Sequence, residues 1–345
     1  MPLFRIALLA APIFAGSFLA GSAISQEKTL NWRMNSVLHP KLFGESGTYF
    51  AERVRQLSGG SLVIEVHDRM VLDQNTFAAL ESGLVDAVWG SAGHHYREDP
   101  ALTIFGGFPF GPDPAGFTAW MKEGGGAAAL DAIYARHGLK SLYCGALPAE
   151  GGGWFTKPIA GPEDLDGLAI RSFGYGGRVL RKLGAIPYDL PAGEIRLAFE
   201  AGLISAAEFS LPSIDFELGI AEITGHLYFP GWQQPATPLE VLMSAQSWAS
   251  LSDHHKTAIR AACSDTIAWA ASVAVVEQID ALARFRALGV ELHSWPKDTL
   301  VALRQAWEEV IAEDTARDPL FANVWHGYRE FQEGYSDWET RAYVD

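Results

Sequence analysis

The sequence predicts an α/β protein of two domains, each built on a largely parallel sheet covered by helices. Strand-like and helix-like segments alternate along the chain, the order that generates such sheets. At 345 residues the chain is longer than one hydrophobic core usually holds, even without a leader, so two domains follow. No tandem repeat and no low-complexity linker interrupts the alternation.

The first charge in the chain is Arg5, followed by an apolar run broken by Pro12 and then by small residues up to Ser25, with Glu27 as the first acid. That order is a secretory leader, with cleavage expected near Ser25, so 1–25 is read as a signal peptide and the protein as exported, a retained membrane anchor being the alternative. No later segment reads as a membrane span. A formal net charge of −15 argues against nucleic acid and anionic membranes as partners, though one buried Arg could still reverse the field locally for an anionic ligand. The two cysteines, Cys144 and Cys263, are too few for a thiolate metal site. An oxidising compartment permits a disulfide between them, but spacing does not show proximity.

Apolar periodicity places a helix at 42–57, with Phe43, Tyr49, Phe50, Val54 and Leu57 inward, stopped by Ser58-Gly59-Gly60. A β-branched strand follows at 61–67, a helix at 75–82 and a strand at 85–89, then a loop with His94, His95 and Tyr96. One helix is expected over 115–137. The second block opens near Glu150 with a strand at 168–172, glycines leading into a helix at 178–183, a strand before Pro191, a helix at 193–201 and a strand at 205–209. Pro230, Trp232, Pro235 and Pro238 mark a loop before a strand at 239–243. The pattern over 245–287 is long, Ala-rich and helical, and a short strand at 290–293 and further helices end the chain. Parallel sheets bind ligands beyond the carboxyl ends of their strands, which directs attention to the loops after Trp89, Ile170, Ala207 and Leu242.

Arg171 ends such a strand just before a glycine-led helix start. A guanidinium fork matches a carboxylate, and a helix amino end also favours an anion; a core ion pair with Asp164 or Asp166 is the alternative. Gly174-x-Gly176-Gly177 lacks the spacing of a dinucleotide fingerprint. Glu208 and Glu240 sit in otherwise apolar strands, where a carboxylate needs a partner, a proton or a hard cation such as Ca²⁺ or Na⁺; two unrelated acids bonded to backbone, or an acid–base pair of a periplasmic hydrolase, are the other readings. No nucleophile elbow, zinc-protease or phosphate-loop motif is present.

An ordered set of segments then resembles a known family. Asp164-Leu165-Asp166-Gly167-Leu168-Ala169-Ile170-Arg171, Gly174-Tyr175-Gly176-Gly177, Leu183-Gly184-Ala185, Leu190-Pro191-Ala192-Gly193-Glu194-Ile195, Ala206-Ala207-Glu208, Tyr228-Phe229-Pro230-Gly231-Trp232 and Leu239-Glu240 are similar to the extracytoplasmic solute receptors of TRAP (tripartite ATP-independent periplasmic) transporters, in the branch with 2-oxo-acid and lactate receptors. The resemblance implies a two-lobed periplasmic binding protein of type II-like fold, hinged, with a long helix across both lobes. The first lobe would take 26–149 and about 239–285, the second 150–238 and about 286–345 with a helical tail. The function implied is capture of a small 2-oxo or 2-hydroxy monocarboxylate and its delivery to the TRAP membrane permease, with no catalysis and no organic cofactor; a receptor for another transporter or for a sensor is the alternative. Arg171 would grip the carboxylate. The Glu208 side chain, the Phe209 carbonyl and the Glu240 side chain would hold a bridging Ca²⁺ or Na⁺. Glu150, His94, His95, Tyr96, Phe173, Tyr175, Phe209 and Trp232 would line the ligand, with Trp154 a lesser contributor. The aromatic tail from Phe321 implies a homodimer through the C-terminal helix. Three departures stand out. The family usually has Gln then an apolar residue where Glu150 and Gly151 stand, tyrosines where His94 and His95 stand, and an aromatic and an acid where Gln233 and Gln234 stand. The added charge at Glu150 favours a divalent ion, unless that side chain is protonated or turned away.

Overall fold

The computed structural model describes residues 29–37, 39–68 and 75–342. The expected leader lies outside these residues. Eleven strands are described: β1 Leu30–Ser36, β2 Leu62–Asp68, β3 Ala87–Gly90, β4 Leu139–Leu147, β5 Gly153–Phe155, β6 Ala169–Arg171, β7 Ile186–Tyr188, β8 Ala206–Ala207, β9 His226–Phe229, β10 Thr237–Ser244 and β11 Glu291–Ser294. They form two sheets, β2-β1-β3-β10-β4 in the first lobe and β11-β9-β5-β8-β6-β7 in the second. Strands β1, β2 and β3 are parallel, and β10 runs antiparallel to both β3 and β4. In the second sheet β6, β7 and β8 are parallel, β9 and β11 are parallel, and β5 runs against β8 and β9.

The helix Glu45–Leu57 covers the first sheet because Phe50 and Val54 fall on one face, and Phe50 stacks on Trp89 of β3 with ring centroids 5.0 Å apart. Strand β4 has no counterpart in the sequence reading. Its residues, LKSLYCGAL, include no β-branched side chain, so the usual strand signal is missing. The single helix expected over 115–137 is two, Pro114–Lys122 and Gly126–Ala135, parted where Gly125 takes φ +89°. The pattern over 245–287 is also two helices. Ser252 caps the second by accepting from the His255 N–H.

That second helix, Asp253–Ala287, is about 50 Å long and joins the lobes. Its first half packs Ile259, Ala262 and Ala270 into the core with Trp32, Met34 and Leu239, and its second half packs Ala281 and Phe285 against Trp154 and Ile195. A disulfide between Cys144 on β4 and Cys263 ties it to the first lobe. By length and composition this helix could cross a membrane, contrary to the sequence reading, but the residues it buries are the core of both lobes.

The tail divides between the lobes rather than staying with the second. The helix Lys297–Arg317 docks on the second lobe, where Arg178 pairs with Asp314 at 2.5 Å. The helix Pro319–Ala342 crosses back to the first: Phe321, Trp325 and Tyr328 are buried, and Tyr328 meets Phe108 and Trp120 with centroids 4.8 and 5.1 Å apart. The aromatics that prompted the expectation of a dimer are therefore largely internal, with Trp338 the large exposed exception.

Candidate functional site

The two sheets point strand ends at a shared cleft of about 520 Å³. The first lobe supplies the turn after β3, carrying His94 and Tyr96, and the turn Pro100–Gly106. These turns press together so closely that a Cβ on Gly93 would lie 2.5 Å from the Cα of Gly106, which only paired glycines tolerate. The second lobe supplies Phe173 to Gly176, Glu208, Gln233 and Gln234, and the tail closes one side with Asp314 and Arg317.

Arg171 is buried at the carboxyl end of β6, two residues before Phe173, which precedes the first turn of the helix Gly174–Lys182. It does not pair with Asp164 or Asp166. Nε donates to the Leu190 carbonyl at 3.0 Å and Nη1 to the Glu208 carbonyl at 2.6 Å, and the Glu208 carboxylate is 3.7 Å away. The rings of Phe173 and Phe209 lie 5.2 and 4.8 Å from its Cζ, so the guanidinium is held by aromatic faces and backbone acceptors. Asp164 instead accepts from the backbone N–H of Ala160 and Gly161.

Around this cation the chain places three buried acids. Glu208 accepts from the Ser172 hydroxyl at 2.8 Å. Glu150 accepts from the Gln234 amide at 3.2 Å, and burial together with the charges of Glu208 and Asp215 pushes its carboxyl well up, with Arg171 opposing. Burial lifts Asp215 to about 8 against the hydrogen bond from the Trp154 indole. Gln233 also faces the cleft; its Nε2 donates to the Gly151 carbonyl at 2.7 Å, while its buried Oε1 has no hydrogen-bond partner among the described residues. Of these groups Glu208, Gln233 and Gln234 line the cleft itself and offer it hard oxygen donors, while Arg171, Glu150 and Asp215 are buried behind them.

Glu240 is the main correction. Both its oxygens are occupied inside the first lobe, Oε1 by the Tyr134 hydroxyl at 2.6 Å and Oε2 by the Ser141 hydroxyl at 2.5 Å, and it borders a separate void of about 10 Å³. Burial, opposed by those bonds, lifts it to about 7. Opposite Gly90 at the carboxyl end of β3, its side chain takes the sheet face that carries Tyr134 and Ser141 rather than pointing into the cleft. Because β10 is antiparallel to β3, its amino end faces the cleft, so Gln233 and Gln234 before it line the cleft and the loop after Leu242 points away.

Other expected residues divide. His94, Tyr96, Phe173 and Tyr175 line the cleft, with His94 and Phe173 facing each other across it at 6.3 Å. The Tyr175 hydroxyl donates to Asp314 at 3.1 Å. His95 turns into the first lobe and packs on Phe77 at 5.2 Å, since neighbours on a tight 3₁₀ turn point apart. Trp232 is buried against Phe110 and borders a different groove, and Trp154 is core against Phe285. The sequence reading omitted Thr103, Arg178, Asp314 and Arg317 from the cleft, since their places depend on how the tail folds back. It noted Gln233 and Gln234 only as departures; two amides between Trp232 and Pro235 at a strand start were the available signal.

Comparison with known proteins identifies the family and the fold. Residues 36–318 match the model of the bacterial extracellular solute-binding protein family 7. The monocarboxylate 2-oxoacid-binding periplasmic protein of Nostoc sp. is 30% identical over 318 residues, covering 90% of this chain and 86% of that one. A TRAP transporter solute binding protein from Bordetella bronchiseptica, solved as a mixed-occupancy dimer with copurified calcium and picolinate in one site and the other apo, superposes with TM-score 0.85 at 28% identity over 90% of this chain and 94% of that one. A TRAP periplasmic solute binding protein from Pseudoalteromonas atlantica with bound sodium and pyruvate gives TM-score 0.81 at 28% identity over 90% and 96%. Glu208 and Glu240 share no space for acid–base chemistry, and the matched proteins bind solutes rather than transform them. This chain belongs to the bacterial extracellular solute-binding protein family 7.

Proposed function

We propose that the chain is the periplasmic receptor of a TRAP transporter and carries a small 2-oxo or 2-hydroxy monocarboxylate to the membrane permease. The buried Arg171, set before a helix amino end and beside more carboxyls than it can neutralise, carries the reading. The guanidinium takes the ligand carboxylate, whose charge adds to that of Glu208. A cation offsets the excess and accepts a carboxylate oxygen together with the 2-oxygen. Glu208 and Glu150 supply its carboxylate ligands, with the Phe209 carbonyl and the Gln234 amide oxygen completing the donors. Two carboxylates in one site favour Ca²⁺ over Na⁺. The bound Ca²⁺ or Na⁺ of the structural neighbours, beside picolinate or pyruvate, supports this chemistry.

His94, Tyr96, Phe173 and Tyr175 form the walls that read the rest of the ligand. Closure of the lobes on the long helix excludes water and strengthens the charge interactions. Self-association through the tail rests on Trp338 and on the dimeric Bordetella neighbour. The leading test is native mass spectrometry of the mature protein before and after chelation, with released acids identified. A 2-oxo or 2-hydroxy acid lost together with a divalent ion supports the reading. Carboxylates that neither co-purify nor shift the melting temperature would overturn it.

A further inference from the structure

The second sheet carries a cluster that the cleft does not use. Strands β9 and β11 pair in parallel with His226 opposite Glu291 and Tyr228 opposite His293. Side chains two apart on a strand share a face, so His226, Glu291 and His293 meet on one side of the sheet. The Nδ1 of His226 and the Nε2 of His293 are 3.0 Å apart, and the Oε2 of Glu291 lies 3.8 and 3.6 Å from them. Four ligands at a tetrahedral Zn²⁺ ion, with bonds of about 2.0–2.1 Å, are separated by about 3.3–3.4 Å. The three atoms therefore already approximate one face of that tetrahedron. Tyr228 stacks on the His293 ring with centroids 4.8 Å apart and planes at 19°, which fixes the ring's orientation. Glu291 is 67% exposed, so solvent reaches a fourth position.

We propose that His226, Glu291 and His293 bind a divalent transition-metal ion of the Zn²⁺ class, at the end of the sheet away from the cleft. Imidazole nitrogens select Zn²⁺ and its neighbours over Ca²⁺ and Na⁺, so the ion is chemically separate from the cleft cation. On binding, the metal takes the place of the hydrogen bond between the two imidazoles, and the displaced N–H proton passes to solvent. It clamps β11, the edge strand that follows the lobe-spanning helix, onto β9. This site does not depend on the function proposed for the cleft.

The test is calorimetric titration of Zn²⁺ into the untagged, chelator-treated mature protein, with melting temperature as a second readout. One equivalent should bind and raise the melting temperature. Glu291→Ala, at an exposed position, should weaken binding at least tenfold, and His293→Ala more, while Ca²⁺ binding is unchanged. Comparable melting of the metal-free variants separates ligand loss from misfolding. Absence of Zn²⁺ binding, or Zn²⁺ binding that survives His293→Ala and is lost in Glu208→Gln, would overturn the proposal.

Discussion

Gln234 donates its side-chain amide to the carboxylate of Glu150 at 3.2 Å, joining the two segments that cross between the lobes. The same amide donates to Thr237 Oγ1 at 2.7 Å, and the backbone N–H of Glu150 reaches the Gln234 carbonyl at 3.3 Å. The resembled family usually has Gln at the first position and an acid at the second. In this chain the acid and the amide have exchanged places across one contact.

The exchange predicts a compensating pair. Glu150→Gln alone should weaken Ca²⁺-supported binding of pyruvate by tenfold or more, by removing a carboxylate from the cation. Gln234→Glu added to it should restore most of that loss. Calorimetry with Ca²⁺ on the single and double variants checks this, and a double variant no better than the single would remove Glu150 from the cation site.

Arg171→Ala should cost about 2–5 kcal/mol of ligand binding, since it leaves the ligand carboxylate buried without its partner. Arg171→Lys should recover only part, because an ammonium cannot reproduce the planar fork that reaches Leu190, Glu208 and the ligand together. Calorimetric affinities for one monocarboxylate across the three proteins decide this; equal affinity in Arg171→Ala would sink the role.

Glu240→Gln should leave ligand affinity and its cation dependence within about twofold, since its oxygens serve Tyr134 and Ser141 rather than the cleft. Glu208→Gln should reduce both by tenfold or more. The same titrations in Ca²⁺ and in chelator separate the two acids, and a loss of cation dependence in Glu240→Gln would contradict the placement described above.

Stability of the chelated, ligand-free protein should fall as pH rises. Asp215 and Glu240 are raised to about 8 and about 7 in the folded chain, against unfolded values near 4. The folded state therefore holds more protons across this window. The contribution is fully present below about pH 4 and is lost as pH climbs through 7 and 8. Urea unfolding at pH 5, 7 and 9 should show this decline, and Asp215→Asn, whose amide oxygen still accepts from Trp154, should flatten its upper part. A pH-independent midpoint in the parent protein would refute the assignment.

Sequence alone determined the α/β class, the helix over Glu45–Leu57 to within its first turn, and the place of Arg171 at a strand end before a helix. Those features follow from local periodicity, glycine stops and the chemistry of a guanidinium. It also singled out Glu208, and it singled out Glu150 and Gln234 as departures from the family pattern. Only the tertiary structure decided which acids share a site. Strand direction and facing are not written in a strand's own residues: β10 runs against β3, which brought Gln233 and Gln234 to the cleft, and its pleat turned Glu240 to the face of Tyr134 and Ser141. The two histidines looked equivalent in sequence until a tight turn sent His94 outward and His95 into the core. The tail's aromatics were read as an interface because their partners, Phe108 and Trp120, lie some two hundred residues earlier in the chain, and burial depends on contacts at that separation rather than on the segment itself.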